Sequence, residues 1–184
     1  MAEDYANIDR GIKKMVEDLT VLTSDKVVLA NQNGPRPDLP YISFERVNEQ
    51  PMQRNEFIAA TDTVDAKIQN VKRSTVRFQA YSNTQREPFE LLDDLTLGQD
   101  NSVVIDDIRT TYGFNVLNYG KVTDISSIMT QHIEPRAFID FTIIYKTVKV
   151  LTGTAGCIIE HMSGDGILKD AVTGDRNITY NVDT

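Results

Sequence analysis

Apolar residues recur at spacings of three and four early in the chain: Ile8, Ile12, Met15, Val16 and Leu19. That stripe predicts an amphipathic helix over residues 7–22. Asp9, Arg10, Lys13, Lys14, Glu17 and Asp18 fill its polar face. Asn7 is the expected N-cap, because its short side chain can accept from the first free backbone N–H groups. Thr23-Ser24-Asp25 ends the run. A short apolar stretch, Val27-Val28-Leu29-Ala30, stops at Asn31–Pro37, where Gly34 frees φ while Pro35 and Pro37 fix it. From Tyr41 to Val47 the period becomes two, with Ile42 and Phe44 alternating with Ser43 and Glu45, as in a half-buried strand. Residues 48–70 are polar and predict a long, mobile hairpin arm or loop. Alternation resumes over 71–82, with Val76, Phe78 and Ala80 on one face and Thr75, Arg77, Gln79 and Tyr81 on the other. These two strands are expected to pair antiparallel.

Helical spacing returns at residues 87–97, where Pro88 suits a first turn and Phe89, Leu92 and Leu95 form the stripe. After Gly98-Gln99-Asp100-Asn101 a third helix is predicted over 102–112, with Gly113 placed to end it in the left-handed conformation. Strands are predicted at 116–122 and 138–150, the latter with Ile139, Phe141, Ile143 and Tyr145 on one face. Shorter ones are predicted at 156–160 and 178–182. The fold class is α+β: an antiparallel sheet with an N-terminal helix and two central helices packed on one face, and a β-rich C-terminal tail. Residues 1–184 read as a single domain, with 48–70 as an arm and 163–184 as a C-terminal extension.

Composition narrows the function. Nineteen Lys and Arg against 27 Asp and Glu give a net charge of −8. Such a surface repels nucleic-acid backbones and anionic membranes, yet it suits a passage that DNA traverses without sticking. Cys157 is the sole cysteine, so neither a disulfide framework nor a Cys-rich zinc site can form. The N-terminus has no basic and apolar run of the signal-peptide kind, and no apolar stretch is long enough to span a membrane.

Catalytic and metal constellations are weak. Cys157 and His161 would sit on a strand and turn, where an i, i+4 pair does not meet. The pairs Asp93/Asp94 and Asp106/Asp107 are helix neighbours about 100° apart, so each reads as a solvated face. Asp165, Asp170 and Asp175 lack the calcium-loop pattern. No phosphate-binding or nucleophile-elbow motif occurs. The expectation is no enzyme, no cofactor and no metal. Arg54, Lys67, Lys72 and Arg73 form the one local basic cluster, and Arg36 stands between two prolines. These five are the candidate subunit-interface residues, with solubility and chain entry as the competing roles.

The segment Ala30-Asn31-Gln32-Asn33-Gly34-Pro35-Arg36-Pro37-Asp38-Leu39-Pro40-Tyr41-Ile42-Ser43 resembles the start of the sheet in the neck- or tail-terminator family of long-tailed phages. Ser74–Ser82, the Leu-rich helix after it, and Ala137–Tyr145 with Gly156–Ile159 follow in the same order. The resemblance covers residues 5–162; Ser82-Asn83 departs from the family's Tyr-Gly. It implies a non-catalytic virion protein of the phage neck, made in the host cytoplasm. It further implies a ring, usually of six copies, that terminates the tail tube. The implied partners are further copies, the tail-tube protein and the head-completion or connector protein, with the tail sheath a further candidate; DNA passes through the lumen. Two readings compete with it: another connector or tail-tube subunit of related fold, and a small α+β enzyme or ligand-binding domain.

Overall fold

The computed structural model describes residues 2–31, 34–59, 65–129, 132–151, 159–162 and 168–170. The chain divides into two compact units, residues 1–52 with 71–146 and residues 53–70 with 147–184.

In the first unit, helix α1 (Ala2–Leu19) buries Ile8, Ile12, Met15 and Val16. It starts well before the expected cap. Asn7 lies inside the helix, and its Nδ2 donates to the Tyr112 carbonyl at 3.4 Å. The end comes at Leu19 rather than residue 22, where the Thr20 hydroxyl donates to the Val16 carbonyl at 2.7 Å. Strand β1 (Val27–Leu29) then pairs parallel with β2 (Tyr41–Pro51). This is the one parallel edge of an otherwise antiparallel set of registered pairs among the described residues.

Strand β4 (Lys67–Tyr81) pairs antiparallel with β2, with Tyr41 opposite Tyr81 and Phe44 opposite Phe78. The register shifts between Arg46 and Asn48. Helices α2 (Glu87–Leu97) and α3 (Ser102–Tyr112) follow, and Gly113 ends α3 with φ +76° as expected. Strand β5 (Phe114–Tyr119) and the two-residue β6 (Thr123–Asp124) pair with β9 (Arg136–Val150). Strand order is β1-β2-β4-β9-β5. Between β6 and β9, β7 (Ser127–Met129) and β8 (His132–Glu134) pair with each other.

The helices cover one sheet face. Ile42, Phe44, Val76, Phe78, Ala80, Ile139, Phe141 and Ile143 share a core with Ile12, Met15, Leu92, Leu95 and Ile108. The rings of Phe78 and Phe141 meet edge-on, 5.1 Å apart at 73°. Each of these core side chains apart from Ala80 contributes about 1.5–3 kcal/mol of hydrophobic stabilisation.

In the second unit, β3 (Glu56–Ile58) pairs antiparallel with the first residues of β4, Glu56 opposite Gln69. The Leu151 N–H donates to the Ala66 carbonyl at 2.8 Å, and β10 (Ile159–Met162) pairs antiparallel with β11 (Leu168–Asp170).

Several boundaries differ from expectation. Within the stretch expected as a hairpin arm or loop, β2 runs on to Pro51 and β4 starts at Lys67, so the flanking strands are longer than expected. The strand expected at 116–122 begins two residues earlier. The strand expected at 178–182 lies outside the described residues, as does most of 156–160.

Candidate functional site

The proline loop places Arg36 over the corner where β2 begins and β4 ends. Antiparallel register brings Tyr41 and Tyr81 face to face, stacked 4.5 Å apart at 9°. The Arg36 guanidinium lies 5.3 Å from each ring centroid, and that of Arg136 lies 5.1 Å from Tyr81. Both arginines converge on Glu134. Arg36 Nη2 donates to Oε1, while Arg136 donates to Oε2 through Nε at 2.7 Å and also through Nη2. The Glu134 side chain is 7% exposed and that of Arg36 45%. A carboxylate this buried keeps its charge only when paired and hydrogen-bonded. Burial raises the Tyr41 phenol above its ordinary pKa, against the opposing charge of Arg36.

Beside the corner runs a groove of about 440 Å³, bounded by β1 and the proline loop and floored by Tyr41, Ser43, Gln79 and Tyr81. On the sheet face away from the helices, Arg77 grips Asp140 with two bonds of 2.8 and 3.0 Å and lies 4.7 Å from the Phe138 ring centroid. Among the described residues no group of three or more His, Cys, Asp or Glu side chains is arranged to hold a metal.

The four basic residues read as a cluster are divided between the two units. Lys72 and Arg73 are neighbours on a strand and face opposite ways. Lys72 turns to the helix side, where its Nζ donates to Glu49 and to the Tyr5 hydroxyl, each at 2.6 Å. Arg73 carries a buried Nε without a hydrogen-bond partner among the described residues. Arg54 and Lys67 belong to the second unit, Arg54 exposed and Lys67 half-buried opposite Ile58.

Sequence reading overlooked Glu49, Glu134 and Arg136. Glu49 accepts from Lys72, from Tyr5 at 3.0 Å and from Tyr145, joining α1, β2, β4 and β9. Strict alternation from Ile42 and Phe44 assigns Glu49 to the outer face, and the irregularity after Arg46 reverses that parity. Glu134 sits in a two-stranded hairpin too short to show a period. The Tyr41–Tyr81 stack was readable, since it follows from pairing the two strands it ends.

A comparison with curated proteins gives no match. The family model described as phage neck terminator protein matches residues 6–170 and leaves out only 1–5 and 171–184. The match includes the proline loop, the tyrosine corner and Glu134 alike, and extends the resemblance read over 5–162. The chain therefore belongs to the phage neck terminator protein family, with a structural role at the neck of the virion.

Proposed function

We propose that the chain closes into a ring, of six copies by the family resemblance, that ends the tail tube and joins it to the head-completion proteins. The family match is the observation that carries this reading. It draws on both units, which supports treating residues 1–184 as one terminator domain.

A closed ring needs each copy to present two different patches, one meeting the other on the next copy. The chain offers unlike surfaces for that purpose. Between Leu91 and Arg109 there are five aspartates against a single arginine, and Asp93, Asp94, Asp100, Asp106 and Asp107 are exposed. The uncovered sheet face instead bears Arg77 neutralised by Asp140. Of the five interface candidates, Arg36 and Arg54 are exposed and suited to contact a neighbour. Lys67 is half-buried, Lys72 is occupied within its own chain, and Arg73 is half-buried. Tail-tube and head-completion proteins are the partners above and below the ring, with the sheath a further candidate in a contractile tail. The negative net charge lets DNA pass through the lumen without being held.

The test is light scattering on the purified protein, with negative-stain images of the same peak and with added tail tubes. Closed rings, alone or at tube ends, are the expected result. Long tubes would assign a tube subunit, and a monomer that ignores tail tubes would overturn the reading.

A further inference from the structure

Glu134 joins two segments that are far apart in sequence. One is the proline loop, which among the described residues reaches it through Arg36. The other is the β7–β8 hairpin, to which Glu134 itself belongs. Among the described residues the two hairpin strands pair only with each other. The hairpin is joined to the sheet at its foot, where the Ser82 N–H donates to the Pro135 carbonyl at 3.2 Å. There the Ile125 N–H donates to the Arg136 carbonyl at 3.0 Å and the Arg136 N–H to the Ser126 hydroxyl at 3.1 Å. Asp124 closes the turn, accepting from the Ser126 N–H at 2.8 Å and its hydroxyl at 2.6 Å. Ile133, which faces away from Glu134 on its strand, is 63% exposed.

We propose that the proline loop and the hairpin form one coupled unit, with Glu134 as the shared tie and Arg36 as a positioning residue for the hairpin. The reason lies in how the carboxylate is satisfied. Among the described residues, Arg136 occupies Oε2 and Arg36 serves Oε1. Removing the loop's guanidinium leaves half of a buried carboxylate without a donor, which costs far more than an ordinary exposed pair. The hairpin then lifts its Glu134 end to find water. Conversely, a neighbour that engages the proline loop and orders Arg36 also orders the hairpin. The loop and the hairpin respond together, a coupling that stands whether or not the ring is hexameric.

Hydrogen exchange read by mass spectrometry on the full chain tests this. Arg36→Gln is expected to speed exchange in residues 125–134 about tenfold, the loss of one charge-assisted hydrogen bond, while β4 and β9 stay protected. Pro37→Ala loosens the loop that holds Arg36 without touching Glu134 and is expected to speed exchange in 125–134 in the same direction, by less than Arg36→Gln; an unchanged hairpin in this variant would count against the coupling. Glu134→Gln is expected to free both segments at once. Arg36→Lys keeps the charge without the planar fork and gives a second reading, in the same direction, should Arg36→Gln fail to fold. Faster exchange in the proline loop alone for the Arg36 variants, or in the hairpin alone for Glu134→Gln, would overturn the coupling.

Discussion

Two glycines show how unlike the demands on one residue type are. At Gly11, a Cβ would come within 2.5 Å of the Tyr112 Cβ and 2.7 Å of the Phe114 ring. The glycine lets α1 approach the end of α3. At Gly113, an added Cβ would meet nothing within 4 Å among the described residues, and the demand is the positive φ. Gly11→Ala is therefore expected to destabilise by about 1–3 kcal/mol through overpacking, despite the better helix propensity of alanine. Gly113→Ala is expected to cost about 1 kcal/mol for backbone conformation alone. Thermal melts of the two variants check both. Glu49 makes a prediction in pH. Burial works to raise its pKa, but the hydrogen bonds from Lys72, Tyr145 and Tyr5 outweigh burial and hold it below the ordinary 4.5. A folded value below the unfolded one means stabilisation that is complete above the unfolded value and lost as pH falls through the folded one. Asp9 has the opposite sign, because burial raises its pKa despite Arg46, so its contribution grows on acidification. Glu49→Gln is expected to cost about 1–3 kcal/mol at neutral pH and to flatten the decline of urea stability between about pH 6 and pH 3. An unchanged decline would place the acid-sensitive group elsewhere.

At the scale of elements, the long periodic segments were legible and the short ones were not. Ile8 to Leu19 and Ile139 to Tyr145 announce their burial because several residues repeat one spacing. The start of α1 was misplaced because Asn7 has the chemistry of a cap and is used instead to hold the Tyr112 carbonyl across the helix pair. Strands β6, β7 and β8, two or three residues each, carry no period at all. Their pairing is set by neighbours that the local sequence does not reveal. The same limit hid the partners of the basic residues. The charge of Lys72 was plain, but its pairing with Glu49 depends on a register irregularity. Further along, Arg77 and Asp140 fall on the outer faces of two predicted strands, but that these strands are neighbours came only from the structure. That pair is about one-third exposed on each side. A double-mutant cycle with Arg77→Ala and Asp140→Ala is expected to give a coupling of about 0.5–1 kcal/mol, the upper part of the range for surface pairs, because the contact is bidentate. A coupling near zero would leave the guanidinium's contact with Phe138 as its main role.

At the scale of the whole molecule, the distribution of the core separates folding from assembly. Among the described residues, the main hydrophobic cluster lies within 1–52 and 71–146. The polar stretch between them contributes exposed β3, with Phe57 54% exposed. Met52 and Val71 are already joined by a backbone hydrogen bond of 2.9 Å, one step beyond the Pro51–Lys72 pair. An Asn-Gly turn suits such a junction between antiparallel strands. Replacing residues 53–70 by Asn-Gly therefore keeps Glu49, Lys72 and the rest of the first unit intact. The variant is expected to unfold cooperatively, with a melting temperature within a few degrees of the full chain, about the shift expected from a loss of 1 kcal/mol or less. Polar strands that bury little of their own chain are suited to contacts between copies, so the same variant is expected to lose ring assembly. Calorimetry and light scattering on one preparation read the two properties separately. Loss of cooperative unfolding would show that the removed stretch supports the core. Intact rings from the shortened chain would move the subunit contact to the proline-loop corner and the acidic helices.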